Sequence, residues 1–372
     1  MEAEPIPPER LRKAREEAGL SLSAMAARTH YSKALLGLLE TGRRAIGLDH
    51  VSAYSKALNV SVETLAAPSD DPLRVAHEWL VTDTPGVVHS ATGRRVGQSL
   101  AVELEQRVID LRRLDDSISG TNLFPVVNKE FGDAQAVVRD CSYSEDIGRR
   151  LLVVVAELAQ LAGWVASDAG RYSEAQRIYL DGHDAATTAG DNTLAAQLLS
   201  TLSYQIASVG HAADAVLLAR SAIKGASNAT PAGRALLLER VAWASARARD
   251  RDGTRRALDA VDDSYDARTP DIPEPDIVYW LDRDEINVMA GRCFVELGDG
   301  ASAQPLLTRA IDKYDPDHVR EIGLYQTWLA EAFLRSAQFD AAQETLSQIT
   351  RDTGSERLNR RIAEVERLMT SI

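Results

Sequence analysis

The sequence predicts an all-α protein in which a small N-terminal helical head precedes a long helical-repeat body. Three observations predict it. Apolar residues recur at helical spacing along nearly the whole chain. Sustained period-2 alternation and Asn-Gly hairpin signals are missing. A pattern of small residues returns at intervals near 40 residues through the C-terminal part of the chain. At 372 residues the chain is long for one compact domain. With 45% hydrophobic residues it has material for a sizeable core, which argues against global disorder.

The head comes first, residues 1–68, and reads as five short helices. The first covers Glu9 to Ala18, stopped by Gly19. Ser21 is placed to N-cap the second, which runs through Arg28. Ser32 is placed to N-cap the third, which ends at Thr41-Gly42 with a glycine suited to a left-handed C-cap. The fourth spans Leu48 to Leu58, and Ser61 begins a last turn through Ala66. Leu11, Leu22, Met25, Leu35, Leu39, Val51, Tyr54, Leu58 and Leu65 can meet in one small core, with Leu36 also expected to pack inward. The stretch between Pro68 and Pro72 reads as a linker.

Residues 69–141 comprise this linker and an irregular helical segment. A loop is expected around Thr84-Pro85-Gly86, from Thr82 to Val96. A long amphipathic helix follows from Gln98 to Ile118, is broken at Ser119-Gly120-Thr121-Asn122, and another runs to Arg139.

Residues 142–372 form the array. Ala175, Ala215, Ala257, Ala303 and Ala342 are 40, 42, 46 and 39 residues apart. Twelve residues before each lies another small residue: Gly163, Ser203, Ser245, Gly291 and Ala330. Small residues are required where the two helices of a hairpin touch. Pro270, Pro273 and Pro275 place a loop in the longest interval, and Ser355 to Met369 reads as a capping helix.

Charge separates the two parts. The chain carries 42 Lys/Arg against 55 Asp/Glu, a net charge of −13. Residues 1–68 hold nine basic and eight acidic residues, and the remainder holds 33 and 47. The acidity therefore belongs to the body and does not argue against a nucleic-acid-binding head. Cys141 and Cys293 stand far apart with no CxxC spacing, which excludes a disulfide framework and a cysteine zinc site and fits a reducing cytoplasm. No run of 18 apolar residues suggests a membrane span, and residues 1–10 lack a signal-peptide pattern. GxSxG, GxxxxGK[ST] and GxGxxG are all missing. His77-Glu78 lacks the second histidine of a zincin, and the seven histidines are scattered. Neither catalysis, a cofactor nor a metal is expected.

The pattern Leu11-Arg-x-Ala-Arg15-x-x-Ala-Gly19-Leu20-Ser21-Leu22, with Leu35, Leu39-Glu40-Thr41-Gly42-Arg43-Arg44, Leu58-Asn59-Val60 and Leu65, resembles the Xre/Cro-type helix-turn-helix. The resemblance implies a lambda-repressor-like head whose third helix lies in the DNA major groove. On this chain it points Ser32, Lys33, Ala34 and Gly37 toward base edges, with Lys33 able to donate to guanine. Arg28, His30 and Tyr31, in and before the turn, and Arg43 and Arg44 after the helix, are placed for phosphates. Beyond Lys33 the helix offers Ala34, Leu35, Leu36, Gly37 and Leu38, so base readout is sparse or relies on DNA shape. Such heads act in pairs on paired half-sites of double-stranded DNA, which implies a homodimer.

The body's small–turn–aromatic–small pattern, clearest in Gly170-Arg-Tyr172-x-x-Ala175, resembles the tetratricopeptide repeat and implies a TPR-like α-solenoid. Its spacing exceeds that family's roughly 34 residues. The repeat frame places Glu157, Gln160, Trp164, Ser167, Gln197, Ser200, Tyr204, Ser208, Glu239, Arg249, Glu285, Arg292, Thr327 and Glu331 on the concave face. That groove suits a peptide, small-molecule or protein effector. An Xre-type head on such a body is similar to peptide-sensing quorum regulators. His77-Glu-Trp79-Leu80, Gly93-Arg94-Arg95-Val96-Gly97 and Leu158-Ala-Gln-Leu-Ala-Gly163-Trp164-Val165-Ala166 are similar to actinomycete regulators of antibiotic production and development. The resemblance implies ligand-controlled transcription regulation. The competing reading is a protein-interaction scaffold whose head is an adaptor.

Overall fold

Helix starts follow the capping residues. In the head, Ser21 Oγ accepts from the Ala24 amide and Ser32 Oγ from the Leu35 amide, both at 3.1 Å. These caps open α2 (Leu22–Thr29) and α3 (Lys33–Glu40). Before them lies α1 (Pro8–Glu17), after which Gly19 turns with φ +67°, and behind them α4 (Leu48–Leu58). The computed structural model describes residues 8–41, 43–44, 46–58, 60, 72–81, 93–116, 118, 120–316, 318–351 and 355–371. Gly42, Asn59, the expected fifth helix with Leu65, the linker at 66–71, most of the expected loop at 82–96 and Ser119 lie outside the described residues. So do the side chains of Glu78, Trp79 and Leu80.

Two compact units result, Met1–Asp71 and Pro72–Ile372. The first is centred on Leu11, Met25, Leu36, Leu39, Val51 and Tyr54, with Leu22, Leu35 and Leu58 packed at its edge. Beneath these lies a polar knot not anticipated from sequence. Arg15 donates to both Glu40 carboxylate oxygens at 2.8 and 2.7 Å and to the Leu20 carbonyl at 2.7 Å. Tyr54 donates to the same carboxylate at 2.8 Å. The acid's charge is thus fully answered, the condition under which burying it is tolerable.

The second unit begins with α5 (Pro72–Val81), α6 (Gln98–Asp115) and α7 (Gly120–Asp140). These pack on the first two hairpins of the array that follows. Arg94–Arg95, expected within a loop, instead form a short strand, β1, parallel to β2 (Cys141–Ser142). Gly93 makes this pairing possible. Its φ is +89°, and a Cβ there would lie 1.9 Å from the Asp140 carbonyl oxygen.

Five hairpins follow: α8 (Glu145–Asp168) with α9 (Tyr172–Ala189), α10 (Asn192–Val209) with α11 (Ala212–Gly225), and α12 (Pro231–Arg247) with α13 (Arg251–Asp266). Then come α14 (Arg283–Glu296) with α15 (Gly300–Lys313), α16 (Val319–Arg335) with α17 (Phe339–Ser347), and the capping helix α18 (Glu356–Thr370). By length and composition α8 is apolar enough to cross a membrane, but it lies mostly buried among α7, α9 and α10.

Each hairpin turn carries one residue with positive φ: Gly170, Gly210, Arg249, Gly298 and Ala337. In four copies it lies five residues before the expected alanine, but in the third it lies eight before Ala257. The third copy is therefore displaced by three from the sequence frame. Thr254 and Ala242, both buried, take the places assigned to Ala257 and Ser245. A three-residue slip stays on one helix face, so buried small residues fit either frame. With the correction the spacings become 40, 39, 49 and 39 residues, and the one long interval lies before the fourth hairpin, in the segment 267–282 with its 3₁₀ turn Asp276–Val278.

The array curls until its ends meet. Ser355 Oγ donates to Asp168 Oδ1 at 3.0 Å, and Arg360 donates to the Tyr172 hydroxyl. Arg320, in α16, donates to the Asp115 and Ile118 carbonyls at 2.8 and 3.1 Å. Asp276 binds Arg112 and Arg113 at 3.0 and 2.5 Å. The expected groove is thereby walled into a half-open cavity.

Candidate DNA interface and effector cavity

The head presents the N-terminal end of α3 to solvent. Ser32, Lys33 and Ala34 are exposed, and Gly37 is half-buried with nothing within 4 Å of where a Cβ would stand. The turn into α3 is set by His30, whose φ of +61° an imidazole-bearing residue tolerates. Tyr31 is half-buried, its ring 5.4 Å from that of His50. Arg28 is exposed and reaches the Ala57 carbonyl at 3.3 Å. Arg43 and Arg44 are exposed just beyond α3, with the Arg44 amide donating to the Leu38 carbonyl at 3.2 Å. Leu36 is buried and Leu38 is 39% exposed, so one leucine serves the core while the other faces out.

The body holds a half-open cavity of about 460 Å³. Gln160, Trp164, Gln197, Tyr204 and Arg292, all expected on the concave face, line it, as does Glu285. Others of the expected set do not line it. Glu157 turns to Arg112 at 3.4 Å, and burial raises its carboxyl above the ordinary range against the pull of that arginine. Ser200 is fully buried and donates to the Gln197 carbonyl. Glu239 is buried and paired with Arg240 at 2.8 Å. Thr327 is likewise fully buried and donates to the Leu324 carbonyl. Glu331 is held by Arg361 and, at 2.9 Å, by Arg335. Arg249 is the left-handed turn residue of the third hairpin and reaches the Glu296 carbonyl. Its placement on the concave face followed from the three-residue slip.

The corrected frame aligns Trp164, Tyr204, Trp243, Arg292 and Glu331 at one position of successive hairpins. Ring centroids of Trp164 and Tyr204 are 5.9 Å apart, those of Tyr204 and Trp243 6.1 Å. The Arg292 guanidinium continues the ladder 4.7 Å from the Trp243 ring. Sequence reasoning missed Trp243 through the frame slip, and Arg240 because it falls at none of the concave offsets in either frame. It missed Arg112, Asp115 and Arg357, which also line the cavity, because α6 and α18 lie outside any repeat. Burial raises two lining acids: Asp115 to about 6, against the pull of Arg320, and Glu285 to about 7, against its tyrosine donors.

Residues 11–65 match the helix-turn-helix family model. No curated protein matches the chain significantly. Among solved structures, that of Bacillus thuringiensis PlcR in complex with the peptide PapR7 and DNA is similar at 11% identity. It covers 92% of this chain and 98% of that one, with a TM-score of 0.33. Residues 11–65 are therefore a helix-turn-helix domain of the Xre/Cro type, followed in the same chain by an all-α hairpin array.

Proposed function

We infer that this chain is a cytoplasmic transcription regulator that binds paired half-sites of double-stranded DNA as a homodimer, under control of an effector held in the body. The observation that carries the reading is the helix-turn-helix domain with Ser32, Lys33 and Ala34 exposed at the start of its third helix. Lys33 reads bases in this account, while Arg28, His30, Tyr31, Arg43 and Arg44 position the head on phosphates. The cavity supports the second half of the reading. Its volume of about 460 Å³ lies in the range of roughly 300–1,000 Å³ usual for small-ligand sites. Its closure by α6, the segment 267–282 and α18 favours a small molecule or the end of a short peptide over a folded partner.

The test is retention of genomic fragments by the purified full-length protein at two salt concentrations, followed by sequencing. A short inverted repeat is expected, retained less at higher salt as released counterions require. Lys33→Ala should weaken binding to that site about tenfold while sparing non-specific DNA, and Arg43→Ala with Arg44→Ala should weaken both. Retention of no sequence by the protein, with or without cell extract supplying effectors, would favour the adaptor reading instead.

A further inference from the structure

Arg292 is the one member of the concave ladder whose charge the protein leaves without an acidic partner. It is 7% exposed, and its guanidinium lies 5.2 Å from the Trp328 ring and 5.3 Å from that of Tyr204. Nη2 donates to the neutral Tyr204 hydroxyl at 2.6 Å, and Nε is buried without an acceptor. Among the described residues no carboxylate forms an ion pair with it. The neighbouring acid, Glu239, gives one oxygen to Arg240 instead. Glu239 opposes the charge through space, but the guanidinium keeps a buried donor edge with no carboxylate on it, and such an edge calls for an anion.

The surroundings have the same sign. A smaller cavity of about 170 Å³ shares Tyr204, Arg292 and Arg357 with the larger one. Five arginines line it against a single lining carboxylate, Glu364. Four of the five have acids of their own: Arg247 with Glu296 at 2.8 Å, Arg357 with Asp168 at 3.2 Å, Arg360 with Glu364 at 3.9 Å, and Arg361 with Glu331. Only Arg292 is left over. Burial alone would raise the Tyr204 hydroxyl, yet Arg292, Arg357 and Arg240 outweigh it and hold the group below the ordinary tyrosine value.

We propose that the smaller cavity is an oxyanion subsite, in which Arg292 binds a carboxylate or phosphate group of the effector while the rest of that molecule occupies the larger cavity. The Trp243 and Trp328 rings pack against the guanidinium at 4.7 and 5.2 Å and restrict its motion, so it meets an oxyanion already positioned. The word effector rests on the regulator reading, but the subsite does not.

The test uses the full-length protein at constant ionic strength, with chloride replaced by inorganic phosphate or by benzoate, and with neutral benzamide as a control. Thermal melting and tryptophan fluorescence report binding, since Trp243 and Trp328 line the subsite and Trp164 the larger cavity beside it. A saturable rise in melting temperature with phosphate alone identifies a phosphate-bearing effector, and one with benzoate alone a carboxylate-bearing one. Either result, or both, supports the subsite, provided benzamide has no effect. Arg292→Met should weaken the response about tenfold or more. It should leave the ligand-free melting temperature unchanged or raised, because it removes a buried charge that has no ion-pair partner. Arg249→Gln should change neither. Absence of any saturable response overturns the proposal. So does a ligand-free Arg292→Met protein that melts several degrees lower, which would make Arg292 a structural stacking group. If anions bind but leave affinity for the DNA site unchanged, the subsite stands and ligand control of DNA binding falls.

Discussion

Glu285 faces the cavity with hydroxyl donors as its closest company. Tyr325 donates to its two oxygens at 2.7 and 2.9 Å, and Tyr314 stands beside it. Burial raises its pKa to about 7, with the nearby Asp282 adding to the rise and the two tyrosines and Arg292 opposing it. The folded protein therefore holds this proton to higher pH than the unfolded chain does. Stability should fall as pH rises from the ordinary value of 4.5 through about 7, and the full penalty is present above that. Glu285→Gln should remove the upper part of this slope and stabilise the protein at pH 8 by on the order of 1–3 kcal/mol. Asp115, raised to about 6, keeps the lower part. Denaturant melts at pH 5 and 8 check this, and equal pH dependence in both proteins would show that Glu285 titrates normally.

Between helices, the array depends on close approach at one point per hairpin. A Cβ on Gly163 would stand 2.4 Å from the ring of Tyr179, which is itself fully buried and has nowhere to move. Gly163→Ala should therefore cost about 1–3 kcal/mol despite alanine's better helix propensity. Gly132, with nothing within 4 Å of a Cβ on the solvent side of α7, is the matched control. Gly132→Ala should stabilise by up to about 1 kcal/mol. Urea titration of both variants measures the contrast, and equal effects would refute the packing argument. At this scale the frame slip also becomes intelligible. Positions three apart on α12 and α13 are buried alike, so Ala257 and Thr254 give the same local signal.

For the body as a whole, ring-like closure converts a surface into an interior. Leu358, Ile362 and Val365 of α18 are buried, Arg361 satisfies Glu331, and Ser355 and Arg357 meet Asp168 on the first hairpin. Ending the chain at residue 354 strips Glu331 of a buried partner and exposes that apolar face. Breaking a buried ion pair alone costs about 3–5 kcal/mol. The truncated protein should melt at markedly lower temperature by circular dichroism and lose the anion response. An unchanged melt would mean that the array is stable without its closing helix.

The helix-turn-helix head, the all-α class, the two serine caps and five hairpins with a final cap are legible in the residues alone. These are local matters: a cap needs one hydroxyl three residues from an amide, and a hairpin seam needs small residues at helical spacing. The sequence also placed Trp164, Tyr204 and Arg292 on the concave face, because repetition there substitutes for three-dimensional knowledge. Only the tertiary structure decided the rest. Arg15 and Glu40 meet across 25 residues, Asp168 and Ser355 across 187, and Arg320 and the Asp115 carbonyl across 205. No periodicity links such pairs, since their proximity is set by the cumulative curl of the hairpins. The same curl deepens the groove, brings α6 and α18 into its wall, and leaves Arg292 as a buried cation with no ion pair among the described residues.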